Sequence, residues 1–132
     1  MPRRSLPNAE ARLLKALAHP VRIQIAMALE QEESCVCHLE ARLKLRQAYI
    51  SQQLGVMHEA GLLSERRVGT FVYHRLANPK LREVIRAARA VTGSRGQPIP
   101  RLDPTDCACP RCGDAARDKS RLSRSGRRRG PA

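Results

Sequence analysis

The sequence predicts a mainly α fold of about five helices, with one two-stranded β-hairpin placed before the last helix. Three observations predict it. Apolar side chains recur at helical spacing in four separate stretches between Asn8 and Val91, and a capping serine marks a fifth helix. A strand-like run from Leu62 to Leu76 interrupts them, broken only at Val68–Gly69–Thr70, which suits a tight turn. Beyond Thr92 the apolar pattern stops.

Asn8 to Ala18 reads as a short helix with Leu13, Leu14 and Leu17 on one face. Pro20 opens the second helix, because its fixed φ suits the first turn and its missing N–H is not needed there. Val21, Ile25 and Leu29 then follow at i, i+4 and i+8. Ser34 is expected to cap a third helix, Cys35 to Leu43. After a short turn, Gln47 to Glu59 forms a fourth helix with Ile50, Leu54 and Met57 facing inward. Gly61 stands just beyond it, where a left-handed closing residue belongs. Leu62 to Arg67 and Phe71 to Leu76 are the strands. Pro79 opens the last helix, which runs to about Val91 with the stripe Leu81, Val84, Ile85 and Ala88.

A chain of 132 residues allows one domain and an appendage. Residues 8–92 are expected to be the domain. Residues 93–132 hold 10 basic and 4 acidic side chains, with five of the nine prolines and five of the eight glycines. So few apolar side chains cannot offset the entropy of ordering the chain, so a disordered basic tail is expected. A core this small is marginal, and helices paired across a dimer would extend it. The formal net charge of +13 favours a phosphate backbone as partner. No apolar run follows Arg3 and Arg4, and none is long enough to span a bilayer. The expectation is a cytoplasmic protein with no membrane partner. Five cysteines in that compartment point to metal binding or redox chemistry rather than disulfide staples.

Two short helices, a tight connection and a following hairpin outline a winged helix-turn-helix. In that arrangement the second helix of the pair enters the major groove of DNA and its exposed face meets base edges. Here that face offers Gln47, Tyr49, Ser51 and Gln52, with His58 as a further candidate. Amides and hydroxyls suit base edges, and they also suit phosphates. The hairpin adds Arg66, Arg67 and Thr70, suited to the backbone or the minor groove. Read more plainly, the same residues are an ordinary polar helix surface and a charged, solvated turn.

Four stretches resemble the ArsR/SmtB family of metal-responsive transcriptional repressors. They are Leu14-Lys-Ala-Leu-Ala-His-Pro-Val-Arg-Ile-Gln-Ile, Cys35-Val-Cys-His-Leu-Glu, Gln47-Ala-Tyr-Ile-Ser-Gln-Gln-Leu with His58-Glu-Ala-Gly-Leu-Leu, and Arg66-Arg-Val-Gly-Thr-Phe-Val-Tyr-His-Arg-Leu. The resemblance covers about residues 10 to 91. It implies a homodimer held by the first and last helices, bound to double-stranded operator DNA near its own gene and released by a metal, a metalloid or another inducer. Two positions depart from the family pattern. Gln53 stands where the recognition helix usually carries a His, which makes it a further DNA-contact candidate. Gly55 sits mid-helix, at a cost of about 1 kcal/mol in helix propensity.

Cys35 and Cys37 match the first two cysteines of the family's arsenic-sensing motif, and Glu40 replaces the third. On a regular helix two residues apart means about 200° apart, so the sulfurs can share an ion only if the first turn is distorted. A helix N-terminus favours thiolates, the ligating form. Three further sulfurs, Cys107, Cys109 and Cys112, crowd the tail and are candidates to complete the site or to form another. His38 is the nearest nitrogen candidate. The last helix holds neither His nor Asp and only Glu83, so the family's other common site is not expected there. Thiolates select soft ions: arsenite foremost, with antimonite, cadmium, lead and zinc as alternatives. A thiol redox sensor of the same fold and a non-regulatory architectural DNA-binding protein are the rival readings. No enzyme is expected. There is no phosphate-binding glycine loop or nucleophile elbow, and His58-Glu59 is not followed by the second His of a zinc hydrolase.

Overall fold

The computed structural model describes residues 6–94. The expected tail, with Cys107, Cys109 and Cys112, lies outside the described residues except for its first two positions. The elements run α1 (Asn8–Leu17), α2 (Pro20–Gln31), α3 (Val36–Leu43), α4 (Gln47–Glu59), β1 (Leu63–Val68), β2 (Phe71–Leu76) and α5 (Leu81–Thr92). This is the expected winged helix-turn-helix.

Helix α2 is the centre of the packing. Its Ile25 and Leu29 meet Leu39 of α3, Ile50, Leu54 and Met57 of α4, and Ile85 of α5 in one buried cluster. Ile25, Leu39, Ile50 and Met57 are fully buried, and each such side chain stabilises the fold by about 1.5–3 kcal/mol. Pro20 is at the start of α2 as expected, and the His19 ring Nδ1 accepts from the Val21 N–H at 3.2 Å, capping it. Arg42 of α3 is buried and donates to the Ala28 carbonyl and the Gln31 side chain, which places a cation at the electronegative end of α2. Between α3 and α4 the chain turns through Lys44, whose φ of 53° is left-handed.

The start of α3 differs from the expectation. Ser34 is not its cap. Ser34 is buried and bridges to His74 of β2, donating its N–H to the His74 carbonyl at 3.1 Å and accepting the His74 N–H at 2.8 Å. The cap is Cys35, extended at φ −79° and ψ 167°, whose Sγ accepts from the His38 N–H at 3.4 Å. A sheet bond holds Ser34 in extended backbone, so the helix can begin only after the next residue.

The hairpin pairs Val68 with Phe71, so its turn is Gly69–Thr70 alone and Val68 belongs to the strand. Gly69 has φ +60°, which the first position of such a turn favours and a glycine adopts without a Cβ clash. With Ser34 on its outer edge, β2 is flanked on both sides at His74. His74 is buried there next to Tyr73, while Arg75 is the exposed residue of the strand.

Two further expectations are adjusted. Helix α5 begins at Leu81, because Pro79 and Lys80 form a turn in which the Asn78 side chain accepts the Lys80 N–H at 2.9 Å. The apolar face of α1 splits: Leu17 is buried, but Leu14 is 55 % exposed. Leu14 lines an apolar groove of about 500 Å³ with Val84, Ile85 and Ala88 of α5.

Candidate nucleic-acid interface and thiol site

Helix α4 presents Gln47, Ser51 and Gln52 to solvent, with Tyr49 half-buried at the edge of that face. Gly55 lies on the same exposed side, with open space where a Cβ would stand. Gln53 does not belong with them. It is buried, and its Oε1 accepts from the Arg22 Nε–H at 2.9 Å, while the Arg22 Nη1 donates to the Ala16 carbonyl at 3.0 Å. Gln53 is therefore a tie between α4 and α2 and not a base-reading residue. The 100° step per residue turns position 53 inward beside Ile50 and Leu54. Arg46, exposed immediately before α4, was not singled out from the sequence. A basic residue directly ahead of the recognition helix was the available signal.

At the wing, Arg67 and Thr70 are exposed. Arg66 is already engaged: its Nε donates to Glu33 at 3.2 Å, its Nη2 donates to the same carboxylate, and its guanidinium lies 5.2 Å from the centroid of the Tyr73 ring. The hydrogen bond to Glu33 holds the Arg66 guanidinium above its ordinary pKa. This pair fastens β1 to the segment leading into Cys35.

Capping by Cys35 changes the geometry of the sulfur pair. Cys35 lies outside the regular helix, so the 200° separation expected of two helical residues does not apply. The two Sγ atoms lie 2.7 Å apart, with Cys35 buried and Cys37 half-buried. They pack against Tyr73 and Phe71 of the wing. His38 is buried, and its Nε2 lies 2.8 Å from the Glu32 carboxylate. Among the described residues, the grouping of three metal-ligating atoms within 4.8 Å is His58, Glu65 and His74, which does not include the cysteine pair.

The His74 pKa is lowered, first by burial and then by the neighbouring His58, with Glu65 opposing. A ring that stays neutral when folded but takes up a proton when unfolded contributes stability above its unfolded pKa of about 6.5. That contribution is lost as pH falls from there through the lower folded value. The melting temperature is therefore expected to fall between pH 7.5 and 5, and less steeply in His74→Gln. Equal slopes in the two proteins would remove His74 as the cause.

A helix pair that leaves amides and hydroxyls exposed on its second member, followed by a basic hairpin, defines a winged-helix DNA-binding protein. Residues 19–65 match the family model described as bacterial regulatory protein, arsR family. A biofilm growth-associated repressor of Agrobacterium fabrum is 47 % identical over 79 residues, covering 60 % of this chain and 68 % of the relative. The transcriptional repressor SmtB of Mycobacterium tuberculosis is 37 % identical over 92 residues, 70 % of this chain and 68 % of that one. Among solved structures, the repressor BigR from Xylella fastidiosa is similar at a TM-score of 0.61 and 34 % identity, covering 67 % of this chain and 90 % of that one. Reduced HlyU from Vibrio cholerae is similar at 0.59 and 29 %, covering 66 % and 92 %. The chain belongs to the ArsR/SmtB family. It is a DNA-binding transcriptional repressor and not an enzyme. Among the described residues no helix is long and apolar enough to cross a membrane.

Proposed function

We propose that this repressor leaves its operator when a soft metal or metalloid ion engages the thiolates of Cys35 and Cys37. Arsenite is the favoured inducer, and antimonite, cadmium, lead and zinc share the chemistry. The observation that carries the reading is the 2.7 Å approach of the two sulfurs against the wing. The donor set fits such an ion in kind, because two sulfurs, the ligands that soft ions prefer, stand next to each other at the start of α3. A bound ion supplies sulfur–metal bonds that set the separation of the two sulfurs. Everything else is done by the chain. Cys35 follows Ser34, which is bonded twice to His74, and Glu33, which holds Arg66. A displaced Cys35 therefore moves both strands of the wing relative to α4.

One or more of Cys107, Cys109 and Cys112 complete the ligand set that Glu40 leaves short. The reading surface is Gln47, Tyr49, Ser51 and Gln52 on α4 with Arg67 and Thr70 on the wing, and Arg46 adds a phosphate contact. Arg66 acts by orienting the wing. The protein works as a homodimer, in which a partner's α1 and α5 cover the apolar groove beside Leu14 and Ala88.

A second reading has its own support. Two thiols in contact can be oxidised to a disulfide, passing two electrons to peroxide, and a similar structure is that of a reduced protein. Operator release separates the two. Arsenite, cadmium and zinc are titrated under reducing conditions, and peroxide is titrated alone. Release by an ion is the expected result. Release by peroxide only would discard the metal reading.

A further inference from the structure

His58 closes the last turn of α4, and its Nε2 lies 2.8 Å from the Nδ1 of His74 and 3.6 Å from the Oε1 of Glu65. The three ligand atoms all lie within 4.8 Å of one another. The backbone explains why they converge. The N–H and C=O of His74 both point to Ser34, so the cross-strand pair Glu65–His74 is of the non-hydrogen-bonded kind, in which opposing side chains come closest. The last turn of α4 then brings His58 onto the same face. His74 is held by its two backbone bonds to Ser34, Glu65 is set opposite it by register, and the Glu65 side chain is 43 % exposed, leaving the cluster open to water on one side.

We propose that His58, Glu65 and His74 form a second metal site, for a borderline divalent cation such as Zn²⁺, at the junction of the recognition helix and the wing. Two imidazoles and a carboxylate are the three-ligand set of an open tetrahedral zinc site, with water in the fourth position. Zinc–nitrogen bonds of about 2.0–2.1 Å place two nitrogen ligands roughly 3.3 Å apart. The two nitrogens stand at 2.8 Å, and the His58 nitrogen and the Glu65 oxygen at 3.6 Å, so small ring rotations bring the atoms to ligand spacing. Binding requires both rings neutral, with each proton on the nitrogen that faces away from the ion. Burial of His74 already favours its neutral form. The donors are nitrogen and oxygen, so the site selects against the soft metalloids suited to Cys35 and Cys37 and does not depend on the thiol reading. Its occupant would tie the end of the recognition helix to both wing strands.

The test uses Zn²⁺ and the full chain. In the unmodified protein, imidazole nitrogen NMR reads all four histidines, whatever the cysteines bind. Zinc is expected to shift the ring signals of His58 and His74 and to leave that of His19 in place. In the full chain with its five cysteines changed to serine, calorimetry is expected to find one zinc per chain, weakened at least ten-fold by His58→Gln and also by Glu65→Gln. Unmoved His58 and His74 signals in the unmodified protein, or a zinc affinity indifferent to His58→Gln, would overturn the proposal and leave the histidine contact as packing.

Discussion

Gln52→Ala is expected to weaken operator binding ten-fold or more at unchanged stability, whereas its neighbour Gln53→Ala is expected to unfold the protein more easily without touching DNA directly. The two residues have the same chemistry and differ only in which way the helix turns them. Gln52 is exposed on α4, and a well-placed amide–base contact discriminates by about 1–3 kcal/mol, where 1.4 kcal/mol is ten-fold. Gln53 is buried and accepts from Arg22 at 2.9 Å. Removing it leaves a guanidinium short of a partner and costs about 1–3 kcal/mol. In a domain of this size each kcal/mol lowers the melting temperature by about 4–8 °C. Thermal melts and operator titrations on both variants check this. A Gln52→Ala protein with undiminished affinity would remove that face from base reading.

Cys35→Ser and Cys37→Ser are each expected to bind the operator as tightly as the parent and to lose release by the ion entirely. Serine at position 35 keeps the cap, because its oxygen can accept the His38 N–H as the sulfur does now, so α3 still starts at Val36. Cys35→Ala is the contrast. It loses the same sulfur and the cap as well, and should melt lower by an amount equivalent to about 1 kcal/mol. Ending the chain after Thr92 should preserve operator binding and reduce the response to the ion by an order of magnitude or more. The measurement is operator affinity against ion concentration. Undiminished release in the truncated chain would take Cys107, Cys109 and Cys112 out of the site, and undiminished release in both serine variants would take the inducer elsewhere.

The helices and the wing were legible because each follows from local rules. Apolar spacing marks α2 and α4, Pro20 and Gly61 mark an entry and an exit, and Gly69 marks the turn, but the three-residue turn expected at Val68–Gly69–Thr70 would have set Glu65 opposite Tyr73 and not His74. The sulfur pair was legible as residues and not as a site. Local rules favoured Ser34 as the cap and a helical Cys35, and hence sulfurs on opposite sides. One pair of backbone bonds to His74, forty residues further along, overrides that preference. The inward turn of Gln53 was available from helical periodicity, but a polar residue in a reading helix looks like a reader until its partner on α2 is seen. His38 and Arg42 are buried for the same kind of reason, since Glu32 and the end of α2 supply their partners.

From residues 8–92 alone came the kind of fold, the helix that faces DNA and the thiols to examine, since each rests on patterns within a few turns of chain. The tertiary structure decided which atoms meet. It brought the two sulfurs together on Tyr73 and Phe71, withdrew Gln53 from the reading face, tied Arg66 to Glu33, and set His58 beside His74 and Glu65. The physical reason is common to all four. Each depends on contacts between elements distant in sequence, and a polar group taken from water must find its partner wherever the packing places one.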